Sequence, residues 1–240
     1  IIRMIFSCLV DADFLCTERF MAGAARSRPT EVSINVLLDQ LEEKLERFYP
    51  PQGELNKLRC EVLDNCGERA KDAPGIFTLT VPTGGGKTLS VARFALGHAI
   101  EYGMRRVIVA EPYTSIIEQN AQVYRRIFGE DNVLEHQSNH EFGDDDDPRA
   151  HTMRLASENW DVPFVVTTNV QLFESIFASG TSRARKLHNI ARSVIVLDEA
   201  QMLPVKHLYP CIRVLIELVR NYGCSVVLCT ATQPSLNRYF

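Results

Sequence analysis

Between residues 76 and 230 five short runs rich in β-branched and apolar residues, IFTLTV, RVIVAE, PFVVTT, SVIVLD and SVVLCT, alternate with stretches of helical spacing. No other feature limits the fold so tightly. Each run is nearly continuous in apolar side chains, as a strand covered on both faces must be. The intervening segments 87 to 102, 114 to 128, 170 to 178 and 205 to 222 are long enough for helices. This alternation predicts an α/β domain: a parallel sheet with right-handed crossovers and helices on both faces. Ligands then gather at the carboxyl ends of the strands, in the loops that enter the helices.

Three motifs fall at such ends. The first, Pro82-Thr83-Gly84-Gly85-Gly86-Lys87-Thr88, follows the first run and opens a helix-like stretch. Glycines let the chain curl closely enough to aim several backbone N–H groups inward, and the following helix adds its positive end. Thr83, Gly84, Gly85, Gly86, Lys87 and Thr88 are therefore candidates to cradle a nucleoside triphosphate, with Lys87 on the β and γ phosphates and the Thr88 hydroxyl on Mg²⁺. The strict GxxxxGKT spacing is not met, because Val81 stands where its first glycine belongs. The second motif, VIVLDEAQ, ends an apolar run in two carboxylates, which is costly unless a cation or water network uses them. Asp198 is a candidate to hold Mg²⁺ through water and Glu199 to orient and deprotonate an attacking water, with Gln201 counted among the catalytic candidates. Read alone, the Asp198-Glu199 pair is also a helix cap. The third motif is Cys229-Thr230-Ala231-Thr232, whose hydroxyls, Thr230 and Thr232, can hydrogen-bond to the DEAQ carboxylates and relay the state of the phosphate.

The order GxGKT, DExx, TAT, with PYTSIIEQ after the second run and TTNVQLFES after a later one, resembles the first RecA-like domain of superfamily 2 helicases. The wording VPTGGGKT, EPYTSIIEQNA, LEHQSN, VVTTNVQLFES, SRARKLHNIA, VIVLDEAQMLP and SVVLCTATQP resembles, more narrowly, the CRISPR-associated helicase-nuclease of type I interference systems. The resemblance implies a RecA-like doubly wound, mostly parallel sheet of the P-loop NTPase kind, preceded by helical segments. It implies ATP and Mg²⁺ as ligands, 3′ to 5′ movement along single-stranded DNA, a Cascade-type surveillance complex as partner, and degradation of the strand by an HD nuclease using divalent transition metal. Tyr113 and Thr114, after Pro112, resemble the family's motif Ia, and Thr167, Thr168 and Asn169 a following strand-binding motif. Helix capping after a strand is an equal alternative for each of these residues.

Composition shifts divide the chain at about residues 28 and 74. Residues 1 to 28 carry SCLVDADFLCTERF, which resembles the last helix of the family's HD nuclease domain; Asp13 matches its metal-binding aspartate best, with Asp11 as the other possibility. The family's histidines and His-Asp pair lie upstream of this string, so no nuclease activity is expected of this chain, and Asp11 and Asp13 are expected to face solvent on a detached helix. Residues 29 to 74 read as a helical linker and entry to the helicase: Thr30 can cap a helix with the apolar stripe Ile34, Leu37, Leu38, Leu41, Leu45 and Phe48, and a second helix covers 54 to 70. The resemblance implies that residues 75 to 240 are the first RecA-like ATP-binding domain. The chain stops soon after TAT, before the family's second RecA-like domain and its arginines, so weak ATP binding and very low turnover are expected of it alone. The rivals are a general superfamily 2 DNA or RNA helicase without a nuclease, and a non-catalytic nucleotide-binding fragment.

Charge and cysteines narrow the setting. The net charge of −4 offers no global field for nucleic acid, but the acid excess is concentrated in Asp144 to Asp147, next to Pro148, which read as a solvated loop. Basic residues cluster at Arg105 and Arg106, at Arg125 and Arg126, and in SRARKLHNIAR, where they can line a phosphate-tracking groove or simply face water. Seven cysteines without a CxxC pair suggest reduced thiols in a cytoplasm, and no apolar run is long enough to span a bilayer. His136 and His140 lack neighbouring acids or cysteines at metal-ligand spacing, and Trp160 reads as core.

Overall fold

The computed structural model describes residues 1–22, 32–137 and 148–231. In chain order its elements are α1 (Ile2–Ala22), α2 (Ile34–Glu46), α3 (Glu54–Arg69), β1 (Ile76–Thr80), α4 (Lys87–Glu101), β2 (Arg106–Glu111), α5 (Thr114–Phe128) and β3 (Val133–His136). Then follow α6 (Pro148–Asn159), β4 (Phe164–Thr168), α7 (Asn169–Phe177), α8 (Thr181–Ala184), α9 (Leu187–Ile190), β5 (Ser193–Leu197), α10 (Leu208–Tyr222) and β6 (Ser225–Thr230). The six strands make one sheet in the order β1-β6-β5-β2-β4-β3, and every adjacent pair is parallel. This is the doubly wound, RecA-like α/β fold.

Period-two alternation along the strands builds two cores. Val107 and Val109, Val194 and Val196, and Val227 and Cys229 join Leu37, Leu41, Leu96, Tyr124 and Phe128 on one face. Ile108 and Ala110, Ile195 and Leu197, and Val226 and Leu228 join Trp160, Leu172, Ile212 and Leu215 on the other. The five expected strands are present with ends trimmed by at most one residue, and the helix over 114 to 128 falls where its spacing puts it.

Some elements differ from expectation. The four-residue β3 was not anticipated, since VLEH carries a charge; Glu135 is buried there because Arg125 of α5 meets it at 3.0 Å. Helix α6 likewise emerges directly after the acidic run Asp144–Asp147, which lies outside the described residues. The segment 205 to 222 is a 3₁₀ turn over Val205–His207 followed by α10, whose Pro210 sits in the first turn where no intrahelical donor is lost. Thr30 also lies outside the described residues; the side chain that caps α2 is Ser33, accepting from Asn35 N at 3.3 Å, because a cap must immediately precede the first helical residue.

Helices α2 and α3 belong to the first core. Arg93 of α4 ties both to the domain, donating to Glu42 at 2.7 Å and to Asp64 at 3.0 Å. Helix α1 is not detached either. Ser7 is fully buried, donating to Ala184 O at 2.5 Å and accepting from His188 N at 3.0 Å. Asp11 is buried against Arg185 at 2.8 Å, so it does not face solvent; Asp13 does.

Candidate functional site

The turn between β1 and α4 is shaped by its glycines. Gly84 and Gly86 have φ of +81° and +85°, the left-handed region that side chains rarely adopt. A Cβ on Gly85 would come within 2.5 Å of Val81 Cγ1 and 2.9 Å of Pro82 O, so no larger residue fits. The turn closes with Gly85 N donating to Pro82 O at 3.0 Å, and β6 holds its entrance through Val81 N to Thr230 O at 3.1 Å. Arg59 of α3 grips the turn from outside, donating to Gly84 O through Nε at 2.9 Å and Nη2 at 2.7 Å. Nothing in the sequence marked Arg59, which sits on a largely polar helix far from any motif.

Lys87 opens α4 and points across the sheet end to β5. Its Nζ lies 2.7 Å from Asp198 Oδ1 and 2.8 Å from Glu199 Oε1. Burial works to depress the Lys87 ammonium, but the hydrogen bonds and charges of Asp198 and Glu199 outweigh it and hold its pKa above the ordinary value. Glu199 responds in the opposite direction. Burial pushes it up, yet Lys87, Gln201 and the Ala231 backbone N–H together keep it below the usual carboxylate range. Gln201 Nε2 donates to Glu199 Oε2 at 2.6 Å.

The DEAQ segment does not begin an α-helix. Glu199 adopts φ 45°, and its N–H turns back to Asp198 Oδ1 at 2.9 Å, after which a short 3₁₀ turn leads away. This strained residue is where the carboxylate is swung toward Lys87. The Thr230 hydroxyl is buried without a hydrogen-bond partner among the described residues. From this strand end it is the Ala231 backbone N–H that helps lower the Glu199 pKa, and Thr232 lies outside the described residues.

A third carboxylate stands in the same place. Glu111 ends β2, and since Ala110 pairs with Leu197 it comes beside Asp198, whose N–H donates to Ala110 O at 2.9 Å. Glu111 is 1% exposed, and burial first, the Asp198 charge second, raise its pKa to about 7. Asn120 of α5 donates to its Oε1 at 2.7 Å. A second link from α5 is Tyr124, whose hydroxyl donates to Thr88 O at 3.2 Å.

The strand-contact candidates separate into two groups. Tyr113 and Thr114 are exposed at the start of α5. Thr167 is fully buried, donating to His136 O at 2.7 Å, because β3 occupies that flank of β4. The Thr168 hydroxyl caps α7, accepting from Gln171 N at 2.8 Å, and Asn169 is buried with Oδ1 unpartnered among the described residues. The Thr167 and Thr168 hydroxyls thus each already serve a bond within the fold.

The basic clusters are split: Arg105, Arg126, Arg183 and Arg192 are exposed, while others turn inward. Arg106 is buried and donates to Asn189 O, Arg125 pairs with Glu135, and Arg185 pairs with Asp11 and Glu158. Burial beside Arg185 lowers Lys186 from 10.5 to about 8. The unfolded lysine keeps its proton up to about 10.5 while the folded one gives it up near 8, so within that window stability climbs with pH. Lys186→Met is expected to stabilise the fold by about 2 kcal/mol at neutral pH and to flatten that climb, as read by urea unfolding across pH.

Among the described residues no group of three or more His, Cys, Asp or Glu side chains is arranged to hold a metal ion. Asp11 is committed to Arg185 and to Asn159 Nδ2 at 3.1 Å, and His136 accepts from the buried Trp160 Nε1 at 2.9 Å, while His140 lies outside the described residues. The seven cysteines are all free thiols, and no helix among the described residues is long and apolar enough to cross a membrane.

Comparison with known proteins places this geometry. The family model for DEAD/DEAH box helicases matches residues 41–239. The chain is 33% identical over 236 residues to the CRISPR-associated nuclease/helicase Cas3 of Haloferax volcanii, covering 83% of this chain and 25% of that protein. It thus spans about a quarter of the length of the curated relative it matches. Its fold is similar to that of T. fusca Cas3 bound to AMPPNP, with a TM-score of 0.60 at 22% identity over 80% of this chain and 22% of the other. The Pyrococcus furiosus Hef helicase domain has a similar fold, with a TM-score of 0.52 at 21% identity over 72% of this chain and 33% of the other. With the glycine turn, the Lys87–Asp198–Glu199 contact and a family match over most of its length, the chain belongs to the DEAD/DEAH box helicases.

Proposed function

We propose that this chain is the ATP-binding motor domain of a Cas3-like CRISPR helicase-nuclease. The observation that carries the reading is Lys87 gripping both Asp198 and Glu199 beside a turn that only glycines can form. A phosphate chain suits this donor set: the first turn of α4 has backbone N–H groups without intrahelical partners, and Lys87 stands at their centre. Thr88 and Asp198 are the residues that would hold Mg²⁺, which when bound neutralises charge on the β and γ phosphates.

Binding requires Lys87 to exchange its carboxylate partners for phosphate oxygens. That exchange frees Glu199, held by Gln201 and the Ala231 N–H, to orient and deprotonate the attacking water. Tyr113 and Thr114 would contact the backbone of single-stranded DNA without reading bases. In the intact protein the cycle drives 3′ to 5′ translocation, coupled to cleavage by a metal-dependent HD domain recruited to a Cascade-type complex. Helix α1 would be the last helix of that domain. Its exposed Ile2, Ile5, Leu9 and Phe20 support this, since a lone helix packed on one side by polar contacts gains nothing from an apolar outer face.

The test is ATP hydrolysis with and without single-stranded DNA, on this chain and on a version extended past Phe240. Low turnover by the chain and DNA-stimulated turnover by the extended protein is the expected pair of results. Absence of activity in both would leave a nucleotide-binding remnant in place of a motor.

A further inference from the structure

Glu111 is a buried acid that the motor chemistry leaves without a task. It is 1% exposed; Oε1 accepts from Asn120, whereas Oε2 is buried with no donor among the described residues. The pairing of Ala110 with Leu197 sets the end of β2 that carries Glu111 beside Asp198, a second acid, and the Asp198 charge and hydrogen bond help to raise the Glu111 pKa. Three carboxylates, Glu111, Asp198 and Glu199, therefore surround the single ammonium of Lys87, and Lys87 is bonded to the latter two.

Burying an unpaired carboxylate costs several kcal/mol, and an apolar side chain at the end of a strand covered on both faces would avoid that cost. The arrangement becomes favourable once a cation of higher charge enters. When a nucleotide draws Lys87 away, Asp198 and Glu111 lose the positive charge of its ammonium, and the charge that would replace it arrives with the phosphate as the divalent ion.

We propose that Glu111 is a positioning residue for the nucleotide-bound Mg²⁺, holding Asp198 from behind and adding the negative charge that draws the ion into the site. The proposal rests on the nucleotide-site reading above. Glu111 acts through Asp198, consistent with the lack of a three-carboxylate metal cage among the described residues. Asn120 fixes its orientation, and because Asn120 lies on the helix that begins at Thr114, the ion's support is anchored to the element carrying the exposed Tyr113 and Thr114.

A carboxylate here has effects of opposite sign on the two halves of the ligand. It attracts Mg²⁺ and repels the bare polyphosphate. The experiment is a titration of the chain with a fluorescent N-methylanthraniloyl-ATP, once in EDTA and once across Mg²⁺ concentrations, for the unsubstituted chain, Glu111→Gln and Asn120→Ala. Glutamine keeps the shape and can still accept from Asn120. Glu111→Gln is expected to raise the Mg²⁺ concentration for half-maximal binding about tenfold, the lower end of what loss of an outer-shell partner does, while binding in EDTA stays equal or tightens. Asn120→Ala, which keeps the charge but frees its side chain, is expected to shift the Mg²⁺ requirement in the same direction by about threefold.

Equal Mg²⁺ dependence in the unsubstituted chain and Glu111→Gln would overturn the assignment and leave the nucleotide site intact. So would a parallel loss of binding with and without Mg²⁺, the signature of a merely structural role. If the unsubstituted chain binds no nucleotide under either condition, the nucleotide-site reading itself falls, and this assignment with it.

Discussion

Lys87→Ala is expected to remove DNA-stimulated ATP hydrolysis from the extended protein and to destabilise the nucleotide-free chain at the same time. The two effects have one origin. Lys87 donates to Asp198 at 2.7 Å and to Glu199 at 2.8 Å, and its side chain is only 15% exposed. Without it, Asp198, Glu199 and Glu111 lose the ammonium that offsets their charge. Loss of a charged hydrogen-bonding partner from a partly buried site costs about 1.5–3 kcal/mol, which chemical unfolding resolves. On the catalytic side, removing one preorganised donor from a site of developing charge lowers the rate about 10²- to 10³-fold. A residue that only packed the turn would shift stability without this loss of rate. Adding Glu199→Gln to Lys87→Ala is expected to recover part of the stability and none of the activity.

Arg185→Ala is expected to have the largest effect on folding. The guanidinium is 3% exposed, bonded to Asp11 at 2.8 Å and Glu158 at 2.6 Å, and stacked 4.6 Å from the centre of the Phe14 ring. Its loss leaves Asp11 buried with Asn159 and a more distant His188 at 3.6 Å. Breaking a buried ion pair from one side typically costs about 3–5 kcal/mol. For a domain of this size that corresponds to a fall in Tm of roughly 8–15 °C. The loosening is expected to be local, with amide exchange in α1 rising more than in the sheet. Replacing both partners, Asp11→Leu with Arg185→Leu, is expected to restore much of the stability, because no unpaired charge is then left inside. A Tm within a degree of the original for Arg185→Ala would show that the polar clamp between α1 and the α/β domain does not hold the helix.

What could be read in the sequence was information carried locally. The strands announced themselves as continuous apolar runs, and the phosphate turn through glycines whose backbone conformations and packing admit no side chain. Elements whose reasons lie far away in the chain were not legible. β3 holds an acid in its middle, and Arg125 on α5 helps make that burial tolerable. Thr167 and Thr168 resembled contacts for a strand of DNA, yet the neighbouring β3 and the start of α7 use both hydroxyls. Asp11 was expected to face solvent, and its burial depends on Arg185, distant in sequence. Glu111 is the instructive omission. The argument applied to VIVLDE, that an acid ending a buried strand needs a cation, holds equally for RVIVAE, and following it would have placed Glu111 in the site beforehand.

The central claim is that Lys87, Asp198 and Glu199 enclose one Mg²⁺-nucleotide between them. Calorimetric titration of the chain with a non-hydrolysable ATP analogue and Mg²⁺ tests it most directly. Saturable binding of one nucleotide per chain, weakened by Lys87→Ala and by Asp198→Asn, is the predicted result. No heat of binding at millimolar analogue, or binding indifferent to both substitutions, would contradict it.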